Sequence, residues 1–300
     1  MTYLAARKKD FYKIENAADG KHFVTARGWD DLSEMIKLYE ENGLAVDEQL
    51  ICQYLQDARI SKDFAIYYDL FNKYRSDYQV EKILDGTVSE SIVLRAERAS
   101  MDERLSLLGL IFDSVTAQLR MVCERENILD LVTGQLKTLK EKLKDVSGAA
   151  ALLSEMIEAE REKLERGKQS SSISPQTQRE TRFMLEYLEE FRAAVMQSGT
   201  AQKDEFSIVR ESFAQKVAEL KGLAADGGRA LENVFSFCEK AFADGDEILI
   251  FVTELTANYY SARFIGRYGC DRYYMHNKQL QFDQRQQEII KRMDEIQWTV

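Results

Sequence analysis

The stretch EILIFVTELTANYYSARFIGRYG, residues 247–269, decides how this chain is read. Its aliphatic run ends in an acid, Glu254, as does the metal-binding strand of a nucleotide hydrolase. Taken as a strand, only ILIFV is accounted for. Taken as a helix, Ile248, Phe251, Val252, Leu255, Tyr259 and Tyr260 fall on one side. Ala262 and Phe264 prolong that side, Gly266 to Gly269 close it, and Asp244-Gly245-Asp246 precede it as turn and cap. The helical reading explains more residues, so an all-α fold is expected here.

A nucleotide hydrolase also needs the GxxxxGK[ST] loop, whose backbone N–H groups cradle phosphates while its lysine reaches them. Gly20-Lys21 is followed by His22, and Gly167-Lys168 by Gln169. Neither pair has the earlier glycine, and Thr253 stands where the metal-binding Asp belongs. The chain alone is therefore expected to show no ATPase activity and to bind no cofactor. With only His22 and His276, a histidine metal site or a Ser-His triad has little material. No GxSxG elbow and no HExxH occurs. No catalytic or metal-ligating residue is assigned.

Composition agrees with the helical reading. One proline in 300 residues is few for a sheet protein, because proline breaks helix interiors and populates turns. Cys52, Cys123, Cys238 and Cys270 lie far apart and are expected as reduced thiols of a cytoplasmic protein. Arg7-Lys8-Lys9 runs into FYKIE rather than an apolar core, so no signal peptide is expected. No stretch approaches the roughly 18 consecutive apolar residues of a membrane span. A net charge of −10 disfavours nucleic acid as a partner.

Working outward, FYKIE, NAADG and KHFVT read as one small β-hairpin over residues 11–25, with Asp19-Gly20 as its turn. ARGWDDLSEMIKLYEENG follows as a helix with Trp29, Leu32, Met35, Ile36 and Tyr39 at helical spacing, ended by Asn42-Gly43. Asp47 is expected to cap a second helix. A third is expected from a Ser61 cap to a stop near Gly86, with an aromatic face of Phe64, Tyr67, Tyr68, Phe71 and Tyr74 read as core. Ser100 and Glu103 read as a capping box opening a long helix. Leu136, Leu139, Leu143 and Val146 then mark one side of an antiparallel helical hairpin with its tip at Ser147-Gly148. GKQSSSISPQ reads as a linker ending at Pro175, which starts a helix. Further helices are expected at about 175–197, 201–224, 228–243, 246–268 and 271–297. The expected domains are a helical domain with the hairpin at 1–88, a helical hairpin at 89–166, a linker at 167–174 and a helical bundle at 175–300.

Residues 22–78, HFVTARGWDDLS through YDLFNKYRSDY, resemble the small helical lid of MoxR-type AAA+ ATPases, in particular bacterial ones with a long helical tail. Residues 241–280, with VTELTANYYSARFI, resemble the end of that tail. The resemblance implies a lid that packs over nucleotide and carries a sensor arginine in an S/T-x-R setting, which Thr25-Ala26-Arg27 matches. It makes Arg27 and Thr25 the candidate nucleotide-contacting residues. ATP and magnesium would be held by an α/β core, the first partner implied. Client proteins of a chaperone-like remodelling activity are the second, and self-association is compatible with the class. In that family the α/β domain precedes the lid, and Met1 begins at about the point where that domain should be ending. The rival expectation is a free-standing helical adaptor with no nucleotide role.

Overall fold

The computed structural model describes residues 3–4, 7–17, 20–144, 148–170, 172–198, 205–243 and 245–278. After a 3-10 turn at Lys8–Asp10 come two strands, β1 (Lys13–Ala17) and β2 (Gly20–Val24). They form an antiparallel pair with Lys13 opposite Val24 and Ile14 opposite Phe23. All further elements are helical: α1 (Ala26–Glu41), α2 (Glu48–Tyr54), α3 (Ala58–Tyr78), α4 (Val80–Leu84), α5 (Glu90–Arg98), α6 (Met101–Lys142), α7 (Ala149–Gln169), α8 (Pro175–Ser198), α9 (Glu205–Phe242), α10 (Asp246–Ala257) and α11 (Tyr259–Tyr268). The all-α expectation with one N-terminal hairpin holds. The Asp19 half of the expected turn, the Val146-Ser147 part of the hairpin tip and residues 279–297 of the last helix lie outside the described residues.

By spatial contacts the chain forms two compact units, residues 1–114 with 233–251, and residues 115–232 with 252–300. In the first, three successive helices begin with a side-chain cap. Thr25, Asp47 and Asp57 accept hydrogen bonds from the amides of Gly28, Leu50 and Ile60 at 3.1, 2.8 and 3.0 Å. Each such cap contributes about 1 kcal/mol by satisfying an amide the helix leaves open. α1 stops where Gly43 takes φ +65° and Leu44 N–H turns back to the Tyr39 carbonyl. Tyr3, Val24, Trp29, Leu32, Ile51, Leu55, Ile60 and Phe64 make the core.

α3 departs from expectation at both ends. Its cap is Asp57, and Ser61 lies buried in the first turn with its hydroxyl on the Leu55 carbonyl at 2.7 Å. It ends at Gln79, whose left-handed φ of 49° breaks the helix before α4. That break lets both Tyr78 and Val80 be buried, which an unbroken helix would place on different faces. Glu103 makes no capping box in this arrangement, because its carboxylate accepts the Tyr78 hydroxyl at 2.7 Å. Within the aromatic face, Phe64 packs edge-on to Trp29 and Tyr3 at 5.1 and 5.2 Å, and Tyr67 lies 5.2 Å from Tyr3. Of the five aromatic residues expected as core only Phe64 is buried; Tyr67, Tyr68, Phe71 and Tyr74 are half-buried, and the first three line a shallow apolar groove with Tyr3 and Ile36.

The second unit is built on helices running through residues 115–142, 149–169, 175–198 and 205–232. Val132, Leu139, Leu153, Leu188, Phe191 and Val209 are fully buried between them, with Leu136 and Leu143 packed alongside. The serine-rich stretch is a tight connection rather than a slack linker. Gly167 is buried against Ile173, so closely that a β-carbon on residue 167 would stand 2.8 Å from the Ile173 methyl. Ser174 caps α8 through the Thr177 amide.

Two expected boundaries in the C-terminal half move. α9 runs unbroken through Asp226-Gly227-Gly228, where a turn was expected. A β-carbon on Gly227 would lie 3.2 Å from Leu119 and 3.5 Å from Phe264, so the glycine permits close helix packing. The opening stretch is helical, as expected, but breaks at Asn258, whose side chain accepts the Tyr260 and Ser261 amides. Gly266 lies inside α11, and Gly269 at φ +80° follows its end.

α6 is long and apolar enough to cross a membrane by length and composition alone, with mean hydropathy 1.3 over an 18-residue window. Asp113 and Arg120 interrupt its apolar run. Leu107, Leu110, Ile111, Val115 and Leu119 are buried by protein, and 39% of that window is buried in all. All four cysteines are free thiols, Cys52 partly buried and the others buried.

Candidate functional site

The site is the junction of β2 and α1. Thr25 has extended backbone, with φ −131° and ψ 159°, and its hydroxyl closes the first turn of α1. Arg27 therefore sits inside that turn. Its side chain is 87% exposed and touches Asp31 one turn on, at 3.4 Å. A solvent-exposed i,i+4 pair of this kind contributes about 0.3–0.5 kcal/mol, so it restrains the guanidinium only weakly.

The hairpin beside it has two unlike faces. Directly opposed residues share a face, and faces alternate along a strand. Val24 is fully buried, so the Lys13–Val24 face looks inward. Ile14 and Phe23, directly opposed, fall on the other face and are exposed at 59% and 38%, and Tyr12, in the bend just before β1, is exposed at 61%. Single exposed apolar residues are normal, but three together at the open end of the hairpin form a patch suited to another protein surface. Phe11, also exposed, lines with Leu4, Lys8, Ala26 and Trp29 a shallow depression of about 560 Å³ at the start of α1. Trp29 is fixed beneath it by its indole N–H on the Asp10 carbonyl at 3.1 Å.

The sequence placed Thr25 and Arg27 at a helix start, and there they stand. It gave no weight to Tyr12, Ile14 and Phe23, although the apolar alternation Tyr12, Ile14 was available to find them. The tail phrase VTELTANYYSARFI is built into the second unit. Ser261 closes α10 through the Leu255 carbonyl at 2.6 Å. Arg263 and Arg267 reach the buried Glu126 carboxylate at 3.1 and 2.9 Å, and Tyr268 donates to it at 2.5 Å. Among the described residues, no group of three or more His, Cys, Asp or Glu side chains is placed to hold a metal ion.

No family model, no curated protein and no solved structure matches this chain.

Proposed function

We propose that this chain supplies the lid and C-terminal helical region of a MoxR-type AAA+ ATPase, in the cytoplasm of a bacterium. The observation that carries the reading is the pairing of an exposed guanidinium on a capped helix start with an uncovered apolar hairpin face. A lid needs both: an apolar surface to rest on the α/β core, and a permanent cation that reaches the nucleotide. Arg27 suits the second task because a planar guanidinium holds two phosphate oxygens at once and stays charged at any working pH. ATP and magnesium belong to the core in this assembly, and this chain contributes Arg27, with Thr25 setting its position. Closure over the γ-phosphate would then be passed to partner proteins as motion of the helical region.

The experiment joins the chain to a MoxR-type AAA+ core that lacks its lid, and measures ATP turnover. Arg27→Ala is compared with Arg229→Ala, another exposed helical arginine paired with a near Asp. Loss of a charge contact in an active site costs on the order of 100-fold. A sensor on a moving lid is expected to cost less than that, about tenfold or more, with Arg229→Ala unchanged. Equal turnover in both variants overturns the lid reading. If Tyr12→Ser and Phe23→Ser abolish association while Arg27→Ala leaves turnover intact, the chain is a helical adaptor.

A further inference from the structure

The connector between α2 and α3, Tyr54–Asp57, braces everything that carries Arg27. Asp57 divides its carboxylate between two tasks. One oxygen caps α3 at the Ile60 amide, 3.0 Å away, and the other accepts the Lys13 ammonium of β1 at 2.7 Å. The Gln56 carbonyl accepts the Phe23 amide of β2 at 3.2 Å. The Tyr54 carbonyl lies against Gly28, where a β-carbon would approach to 2.7 Å. Leu55, between them, is fully buried, and its carbonyl is taken by the Ser61 hydroxyl. Four consecutive residues thus hold β1, β2 and the first turn of α1, and the buried Leu55 and Asp57 anchor them.

The electrostatics fit a clamp. Burial alone would raise the Asp57 pKa, yet the Lys13 ammonium and the Ile60 amide outweigh it and hold the carboxyl below its ordinary value. Lys13 is raised by Asp57 first and Glu15 second, so both partners stay charged across the neutral range. The Asp57 side chain is 7% exposed, which keeps one end of the pair out of solvent.

We infer that Asp57 is a positioning residue: by fixing the hairpin through Lys13, it sets the direction in which Arg27 leaves unit one. The functional half of this inference rests on the lid reading, and the mechanical half does not.

The test uses the full chain with Asp57→Asn, Lys13→Met and Lys13→Arg. Asparagine still caps a helix, so Asp57→Asn removes the charge and spares α3. Lys13→Met leaves Asp57 and its cap in place. Amide hydrogen exchange is followed at Phe23 and Gly28, with Ile51 and Phe64 as core reporters. Both charge-removing variants are expected to speed exchange at Phe23 about tenfold, the scale of one lost charge-assisted hydrogen bond. Core exchange stays unchanged, and Lys13→Arg restores protection. Unchanged Phe23 exchange overturns the inference whatever the fate of the lid reading. In the assembly with the AAA+ core, Lys13→Met is expected to lower kcat with little change in KM, and to add nothing to Arg27→Ala. A Lys13→Met enzyme with full kcat, beside an impaired Arg27→Ala enzyme, overturns the positioning role. An unimpaired Arg27→Ala enzyme overturns the lid reading instead, and Phe23 exchange then decides the clamp alone.

Discussion

Arg104 holds the buried Glu247 carboxylate at 2.9 Å across 143 positions of sequence, while its guanidinium lies over the Phe242 ring at 5.7 Å. The same side chain donates to the Ala99 and Glu97 carbonyls, where the chain passes from α5 to α6. One arginine thus ties that passage to the start of α10. Removing one partner of a buried pair leaves the other charge uncompensated, at a cost of about 3 kcal/mol or more. Arg104→Ala is expected to destabilise by about that amount in urea unfolding, and Arg104→Met with Glu247→Leu by clearly less than the two single changes added together. Strict additivity would show that the pair does not act as a unit.

The two adjacent glycines of α9 should respond in opposite directions. Gly228 has open space around it, so Gly228→Ala gains helix propensity, about 0.5–1 kcal/mol. Gly227 faces Leu119 and Phe264, so Gly227→Leu overpacks the contact at a cost of about 1–3 kcal/mol. Thermal melts should move up for the first and down for the second. A turn at this point would have made both changes harmful.

Alkali should unfold the protein through its tyrosines. Tyr68, Tyr78 and Tyr268 are each pushed from 10.0 up to about 12, by burial first and further by the acceptors Glu40, Glu103 and Glu126. The folded state keeps these protons to higher pH than the unfolded state. Their contribution is therefore complete below pH 10.0 and lost as pH rises through about 12. Lys13, raised above 10.5, acts in the same direction. Tyrosinate absorbance followed beside circular dichroism should show these groups ionising together with loss of helix. Ionisation with the helix intact contradicts the assignment. Asp57 has the opposite sign, its contribution present above pH 3.8 and lost as pH falls below that value.

Glu126 is the clasp of α11, 2% exposed and reached by two arginines and a tyrosine hydroxyl. Glu126→Gln should raise amide exchange over Tyr259–Tyr268 while leaving α8 protected. Uniform loss of protection across the second unit would instead make Glu126 a core residue like any other.

The sequence was most legible where one residue does one job. Asp47 caps α2 and Asn42-Gly43 ends α1, because a short polar side chain before an apolar period and a glycine after it have few other uses. It misled where one residue type serves two purposes. Gly227 and Gly228 read as a turn because glycine marks both turns and close approaches, and only the neighbours Leu119 and Phe264 separate the two. Ser61 was expected as a cap, but its hydroxyl goes to the Leu55 carbonyl and Asp57, four residues earlier, takes the Ile60 amide instead. At the candidate site, chain order alone put Arg27 behind Thr25 at a helix start. Lys13 and Asp57 lie 44 positions apart, and no local pattern joins them.

Thiol chemistry follows from where the four cysteines lie. Burial raises Cys123 and Cys238, and raises Cys270 to about 12, so these three withhold the thiolate that alkylating reagents attack. Cys52, partly buried on α2 two residues before the Tyr54–Asp57 connector, is the one left within reach of a maleimide. A fluorophore placed there needs no engineered cysteine and reports from the brace itself. Slow uptake of further label by the remaining three would time the breathing of the helices that cover them.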